Sequence, residues 1–249
     1  VKINRTVFFL YFLLHFAMVQ YVSIFSGLRN VFVFFISGAI LLRKIFLGEK
    51  IIKYIPVIIM GMFIHPAILI PFVLYYVSLF AYKHKLVYGA LVFWPMLVKV
   101  ILLFLGKLNI SYLNLVVRKL NDYITFSNPV DHRKRLVELG FLVFVFLQLL
   151  LLKNKKYSWP PWAKKYTEFL MCLIAFMISS FFCAYYLEER TMIFLGIIYL
   201  PMVQLFRDLF KNSLWKFFAF LYIVIIIGWN AYGLVALLSH MKLISAVLI

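Results

Sequence analysis

The chain has 249 residues, 66% of them hydrophobic and 20% aromatic, with a mean hydropathy of +1.02. Soluble domains are about 45–50% apolar, so this composition excludes a water-soluble globular protein and indicates a polytopic membrane protein. The net charge of +18 sits mainly between apolar runs, where Lys and Arg orient helices, and is no sign of a nucleic-acid partner.

Only helices or closed barrels satisfy the backbone in lipid. The apolar runs are continuous rather than alternating, which excludes a barrel and leaves an all-α transmembrane bundle, a single integral membrane domain over 1–249. Taken in chain order, the hydropathy predicts nine segments: 6–25, 28–46, 51–64, 66–82, 86–105, 136–152, 165–187, 191–210 and 215–239. Lys2 and Arg5 precede the first run, and no small-residue cleavage site follows it, so no cleavable signal is expected. One reading of the start at Val1 is a fragment lacking N-terminal helices.

Between the first two runs, "SGLRN" (26–30) reads as a turn, with Gly27 bending the chain and Arg29 at a helix start. The apolar stretch 51–82 is too long for one crossing and contains "FIHPAIL". Proline disfavours helical geometry in the residue before it, so the stretch is read as two segments meeting near His65. Charge supports that division. With Lys2 and Arg5 on the cytoplasmic side, two segments leave most basic residues there, including Lys153, Lys155, Lys156, Lys164 and Lys165. A single crossing would turn this lysine-rich loop outward, against the positive-inside rule.

The longest polar stretch is 106–135. Ile110, Leu113, Val117, Leu120 and Ile124 recur every three or four residues, with Ser111, Asn114, Arg118 and Asn121 opposite. This predicts an amphipathic helix at the outer surface, followed by the loop "TFSNPVDHRKR". It is either an interfacial anchor or a lid over substrate. Cys172 and Cys183 lie on one predicted helix, about 16 Å apart, too far for a mutual disulfide.

On this topology Arg29, His65, the cluster 131–135 and Glu188-Glu189-Arg190 all fall at the outer face. Ionisable groups at membrane depth are costly and mark functional sites. Each has a plain alternative. Arg29 either snorkels to headgroups or offers its planar fork to phosphate. His65 either bonds a carbonyl freed by Pro66 or acts as general base or as donor to a pyrophosphate. Arg190 either closes an ion-paired turn or forms a second anion clamp, with a glutamate as base. The 131–135 run, with Arg133 and Arg135, is either a solvated loop or a headgroup binder. The spacing of Asp131, His132 and the two glutamates gives no positive sign of a metal, and no cofactor is expected.

"SGLRNVFVFFISGAILLRKIF", a basic loop and then "IIMGMFIHPAILIPFVL" together resemble the EpsG-like branch of Wzy-type polysaccharide polymerases. "YYLEERTMIFLGIIYLP" is similar to that family's later arginine before a C-terminal helix. The resemblance covers roughly residues 20–80 and 180–205. It implies a bacterial inner-membrane glycosyltransferase, multi-pass and with its active site facing the periplasm or exterior. Such an enzyme joins undecaprenyl-pyrophosphate-linked oligosaccharide units into O-antigen, capsule or exopolysaccharide. By this resemblance Arg29 and Arg190 are the basic pair and His65 the histidine, and further helices are expected before the Gly-x-Arg segment. Arg118, Arg133, Arg135, Glu189 and Tyr185 are the candidate substrate contacts. Partners would be the lipid-linked oligosaccharide, the bilayer and a chain-length regulator. The alternatives are a flippase or transporter for the same lipid-linked glycan, an O-antigen ligase, and an acyltransferase.

Overall fold

A computed structural model describes residues 21–81, 84, 86–107, 132–154, 161–183, 185–209, 216–217, 220–221, 224–225 and 228. Within these residues every element is helical. We number the α-helices α1 (Tyr21–Leu47), α2 (Ile55–Ile64), α3 (Leu69–Ala81), α4 (Leu86–Val92), α5 (Trp94–Gly106), α6 (His132–Asn154), α7 (Pro161–Cys183) and α8 (Tyr185–Leu209), with short 3₁₀ turns at Ile51–Tyr54 and Pro66–Ile68. Among the described residues two stretches, Arg29–Leu47 and Trp162–Phe182, are long and apolar enough to cross a bilayer, and α4 with α5 would make a third if counted as one bent span. The protein is therefore a helical membrane protein. The expected segment 215–239 and the amphipathic helix within 106–135 lie largely outside the described residues, as does 6–20 of the first segment.

The core is organised around α7, which packs against α1, α3, α4, α5, α6 and α8. Its Phe169 meets Tyr75 of α3 and Phe194 of α8, with ring centroids 5.9 and 6.1 Å apart. Tyr166 donates to the Ile198 carbonyl of α8 at 2.6 Å, in the turn before Pro201, where proline disturbs the backbone ladder. Phe46 at the end of α1 packs on Trp162 at 4.6 Å, so the C-terminal end of α1 and the N-terminal end of α7 lie together. Between α6 and α8, Tyr199 donates to Gln148 at 2.5 Å and meets the Phe141 ring.

α1 and α8 run parallel. Phe34 faces Phe194 at 5.8 Å. One turn further on, a Cβ at Gly38 would stand 3.0 Å from the Ile197 side chain, so a residue without a side chain lets the two helices close there. This pairing joins segments far apart in sequence and carries the site described below.

Four expectations are corrected. "SGLRN" is not a turn: α1 runs unbroken from Tyr21 through Leu47. A single glycine costs a helix only about 1 kcal/mol, and no proline stops the helix there. The run 86–105 is not one straight helix, because α4 and α5 meet at a bend of 67°. Pro95, in the first turn of α5, has no N–H and would clash with the carbonyl four residues earlier. Ser179 of α7 donates its hydroxyl to the Val92 carbonyl at this bend, and Trp94 stacks on Phe176 at 5.0 Å. The "EER" run is no interhelical turn, since α8 already begins at Tyr185. Finally, His132–Arg135 form the first turn of α6 and not a loop.

The break at His65 stands. α2 ends at Ile64, His65 is extended (φ −162°, ψ 124°), and a 3₁₀ turn starts at Pro66. Yet α2 is only ten residues and α3 thirteen, about 15 and 20 Å long against a hydrocarbon thickness of about 30 Å. Neither can cross alone.

Candidate functional site

Arg29 lies five residues before Phe34 on α1, and Arg190 four before Phe194 on α8. With about 1.5 Å rise per residue, the parallel register puts both arginines at nearly the same level, at the end of the bundle opposite Trp162. The Arg29 side chain is exposed, whereas Asn30 beside it is 7% exposed. On α8, Thr191 follows Arg190 and is buried. Asn30 is one turn from Phe34 and Thr191 one turn from Phe194, so helical spacing places them on the facing sides of the two helices. Thr191 donates back to the Leu187 carbonyl at 2.9 Å.

The first turns of α6 bring Arg135 to the same end. Its Nη2 donates to the Phe181 carbonyl at 3.2 Å, and its guanidinium lies 5.2 Å from the Phe181 ring centroid. The last turn of a helix has carbonyls without intrahelical partners, so Arg135 caps the C-terminus of α7 and complements its dipole. Three residues further on, Glu138 is buried at 1% exposure. Arg133 occupies the first turn of α6, and Tyr185 and Glu189 the first two turns of α8. Arg118 and Asp131 lie outside the described residues.

The 3₁₀ turn before α2 is tied to the C-terminal end of α1, where Tyr54 donates to Glu49 and Arg43 Nε pairs with Glu49 at 3.3 Å. His65 is half-buried at the junction of α2 and α3. Its Nδ1 accepts the Ala67 N–H at 3.1 Å. That bond uses the Nδ1 lone pair, so the neutral ring carries its proton on Nε2. In this arrangement His65 can donate from Nε2, and it has no second lone pair with which to act as a base.

A second polar group lies towards the Trp162 end. Tyr88 of α4 donates to Glu168 of α7, and the Lys153 ammonium of α6 stands 5.8 Å from the Tyr88 ring centroid. These contacts tie three helices together. Among the described residues no cluster of three His, Cys, Asp or Glu side chains could hold a metal ion.

Sequence reasoning misses Asn30 and Glu138. Each stands close to an arginine at the edge of an apolar run, "LRNVFVFF" and "RLVELGFLVF", where the arginine draws the attention and the burial of its neighbour is not legible. The usable signal is the cost of an ionisable or amide group at membrane depth. Comparison with protein-family models, curated proteins and solved structures returned no match to this chain.

Proposed function

We propose that the protein is an outer-leaflet glycan polymerase that joins oligosaccharide units carried on undecaprenyl pyrophosphate. The observation that supports this most is the arginine pair: Arg29 and Arg190 share one level of adjacent parallel helices, beside the buried polar residues Asn30 and Thr191. Two guanidinium groups at one membrane end suit the two phosphates of a lipid pyrophosphate.

In the reaction, the bond between the sugar's anomeric carbon and the pyrophosphate oxygen breaks. The pyrophosphate leaves with the electron pair, and an acceptor-sugar hydroxyl oxygen bonds to that carbon. The arginines stabilise the charge that develops on the leaving group. The hydroxyl proton passes to a carboxylate at the Arg29 end, Glu138 or Glu189. His65 serves as an Nε2 donor rather than as the base, because Ala67 occupies its Nδ1.

Arg29→Ala and Arg190→Ala should each cut long-chain polymer at least about a hundredfold, the scale of losing an electrostatic contact to a developing charge. Single lipid-linked units should still be exported. Normal polymer lengths in both variants would overturn the proposal.

The interrupted helices favour one second reading, a transporter for the same lipid-linked glycan. Broken segments within the bilayer often line a transport path, and both α2–α3 and α4–α5 are broken. In that case loss of the arginines would stop export of single units as well.

A further inference from the structure

Asn30 is 93% removed from solvent, and its Oδ1 is buried with no hydrogen-bond partner. Such an acceptor is expensive to leave unmet, and unsatisfied groups in otherwise well-packed proteins call for a specific cause. The buried hydroxyls of Thr191 on α8 and Ser37 on α1 do not supply one. Thr191 donates back to Leu187 and Ser37 to the Phe34 carbonyl at 3.1 Å. The proton that each hydroxyl carries is thereby committed to its own helix. Arg29 is exposed and adjacent in sequence, and neighbouring residues on a helix do not face the same side.

We infer that the Asn30 Oδ1 accepts a hydrogen bond from a hydroxyl of the lipid-linked sugar, making Asn30 the residue that distinguishes a sugar-bearing lipid pyrophosphate from a bare one. This rests on the polymerase reading above. The geometry fits a donor of this class. Asn30 is one residue from Arg29, so it shares the level of the proposed pyrophosphate position but is turned about 100° round the helix. It lies on the α8-facing side, so a hydroxyl reaching it would enter between α1 and α8. A fully ionised bare pyrophosphate carries acceptor oxygens only and offers the Asn30 Oδ1 no donor.

The test measures binding of the full chain in detergent or nanodiscs to three probes: undecaprenyl pyrophosphate bearing one sugar, the bare undecaprenyl pyrophosphate, and sugar-bearing analogues lacking one hydroxyl each. Wild type should bind the sugar-bearing lipid about tenfold more tightly than the bare one, the scale of one well-placed hydrogen bond. Asn30→Leu should erase that difference by weakening the sugar-bearing lipid alone. Its ligand-free Tm should be equal to or above that of wild type, because the substitution removes an unmet acceptor. In wild type, one deoxy analogue should bind like the bare lipid, a result that needs no variant to fold. The inference is overturned if no deoxy analogue loses affinity, or if Asn30→Leu lowers Tm while leaving sugar discrimination intact. If wild type binds no lipid pyrophosphate at all, the polymerase reading itself fails, and this inference with it.

Discussion

α7 and the interrupted pairs beside it solve the same problem in opposite ways. α7 runs unbroken for 23 residues and satisfies its backbone internally, so its side chains are left for packing: Phe169 between Tyr75 and Phe194, Trp162 on Phe46. The pairs α2–α3 and α4–α5 are broken beside Pro66 and Pro95, and freed backbone groups there take polar side chains. The Ala67 N–H is met by His65, and the Val92 carbonyl by Ser179. In lipid there is no water to do this. An interruption in such a helix therefore needs a polar residue nearby, and the polar residues of this protein are informative for that reason.

The comparison predicts graded losses. The largest should come from the unbroken core. Phe169→Ala should destabilise the protein by about 2–4 kcal/mol, somewhat below the roughly 3–5 seen in water-soluble cores, because lipid is as apolar as the protein interior and mainly packing is lost. A loss under about 1 kcal/mol in detergent unfolding would mean that α7 does not organise the bundle.

Next comes the bend. Ser179→Ala should cost about 1–3 kcal/mol by leaving the Val92 carbonyl unmet. The sharper form is a double-mutant cycle with Pro95→Ala. Restoring a regular helix gives that carbonyl the Met96 N–H, so the serine substitution should cost clearly less in that background. Strict additivity would show that Ser179 has no part in satisfying the bend.

Tyr166→Phe should cost less, about 1 kcal/mol, since it removes one hydrogen bond to Ile198 while keeping the ring. A Tm change as large as that of Phe169→Ala would point to a role beyond this bond.

The smallest effect belongs to the polar turn after α1. The Tyr54 hydroxyl bonded to Glu49 holds that carboxyl below its ordinary range, with desolvation opposing the shift and Arg43 and Lys53 adding to it, and the same bond raises the phenol. A carboxyl whose pKa is depressed by folding stabilises above its unfolded value of about 4.3 and loses that contribution as pH falls through the folded value. The Tm gap between wild type and Tyr54→Phe should therefore be small at pH 7 and close below about pH 4. A gap that is constant from pH 7 to 3 would contradict this.

Legibility followed the same division. The break at His65 is readable because Pro66 restricts its neighbour by local sterics alone. The helix of 28–46 is readable from its unbroken apolar run. The bend at Phe93 carries an equally local signal in Pro95, but the run 86–105 masks it by being apolar throughout. "SGLRN" misleads in the other direction, since Gly27 and Ser26 resemble a turn while costing a helix little. The arginine pair is half legible: both residues stand out in sequence, but their common level depends on Phe34 meeting Phe194, a contact across 160 positions that no local pattern encodes. Asn30 and Glu138 stay hidden in the sequence because burial, and not residue type, makes them unusual.

The most direct test of the account is to give the purified full chain, in liposomes, an undecaprenyl-pyrophosphate-linked repeat unit and to resolve the products by length. The account predicts a ladder of multiples with release of undecaprenyl pyrophosphate, and single units only when Arg29 and Arg190 are both replaced by alanine. A ladder that persists in the double variant, or wild-type protein that moves the unit across the bilayer without lengthening it, would contradict it.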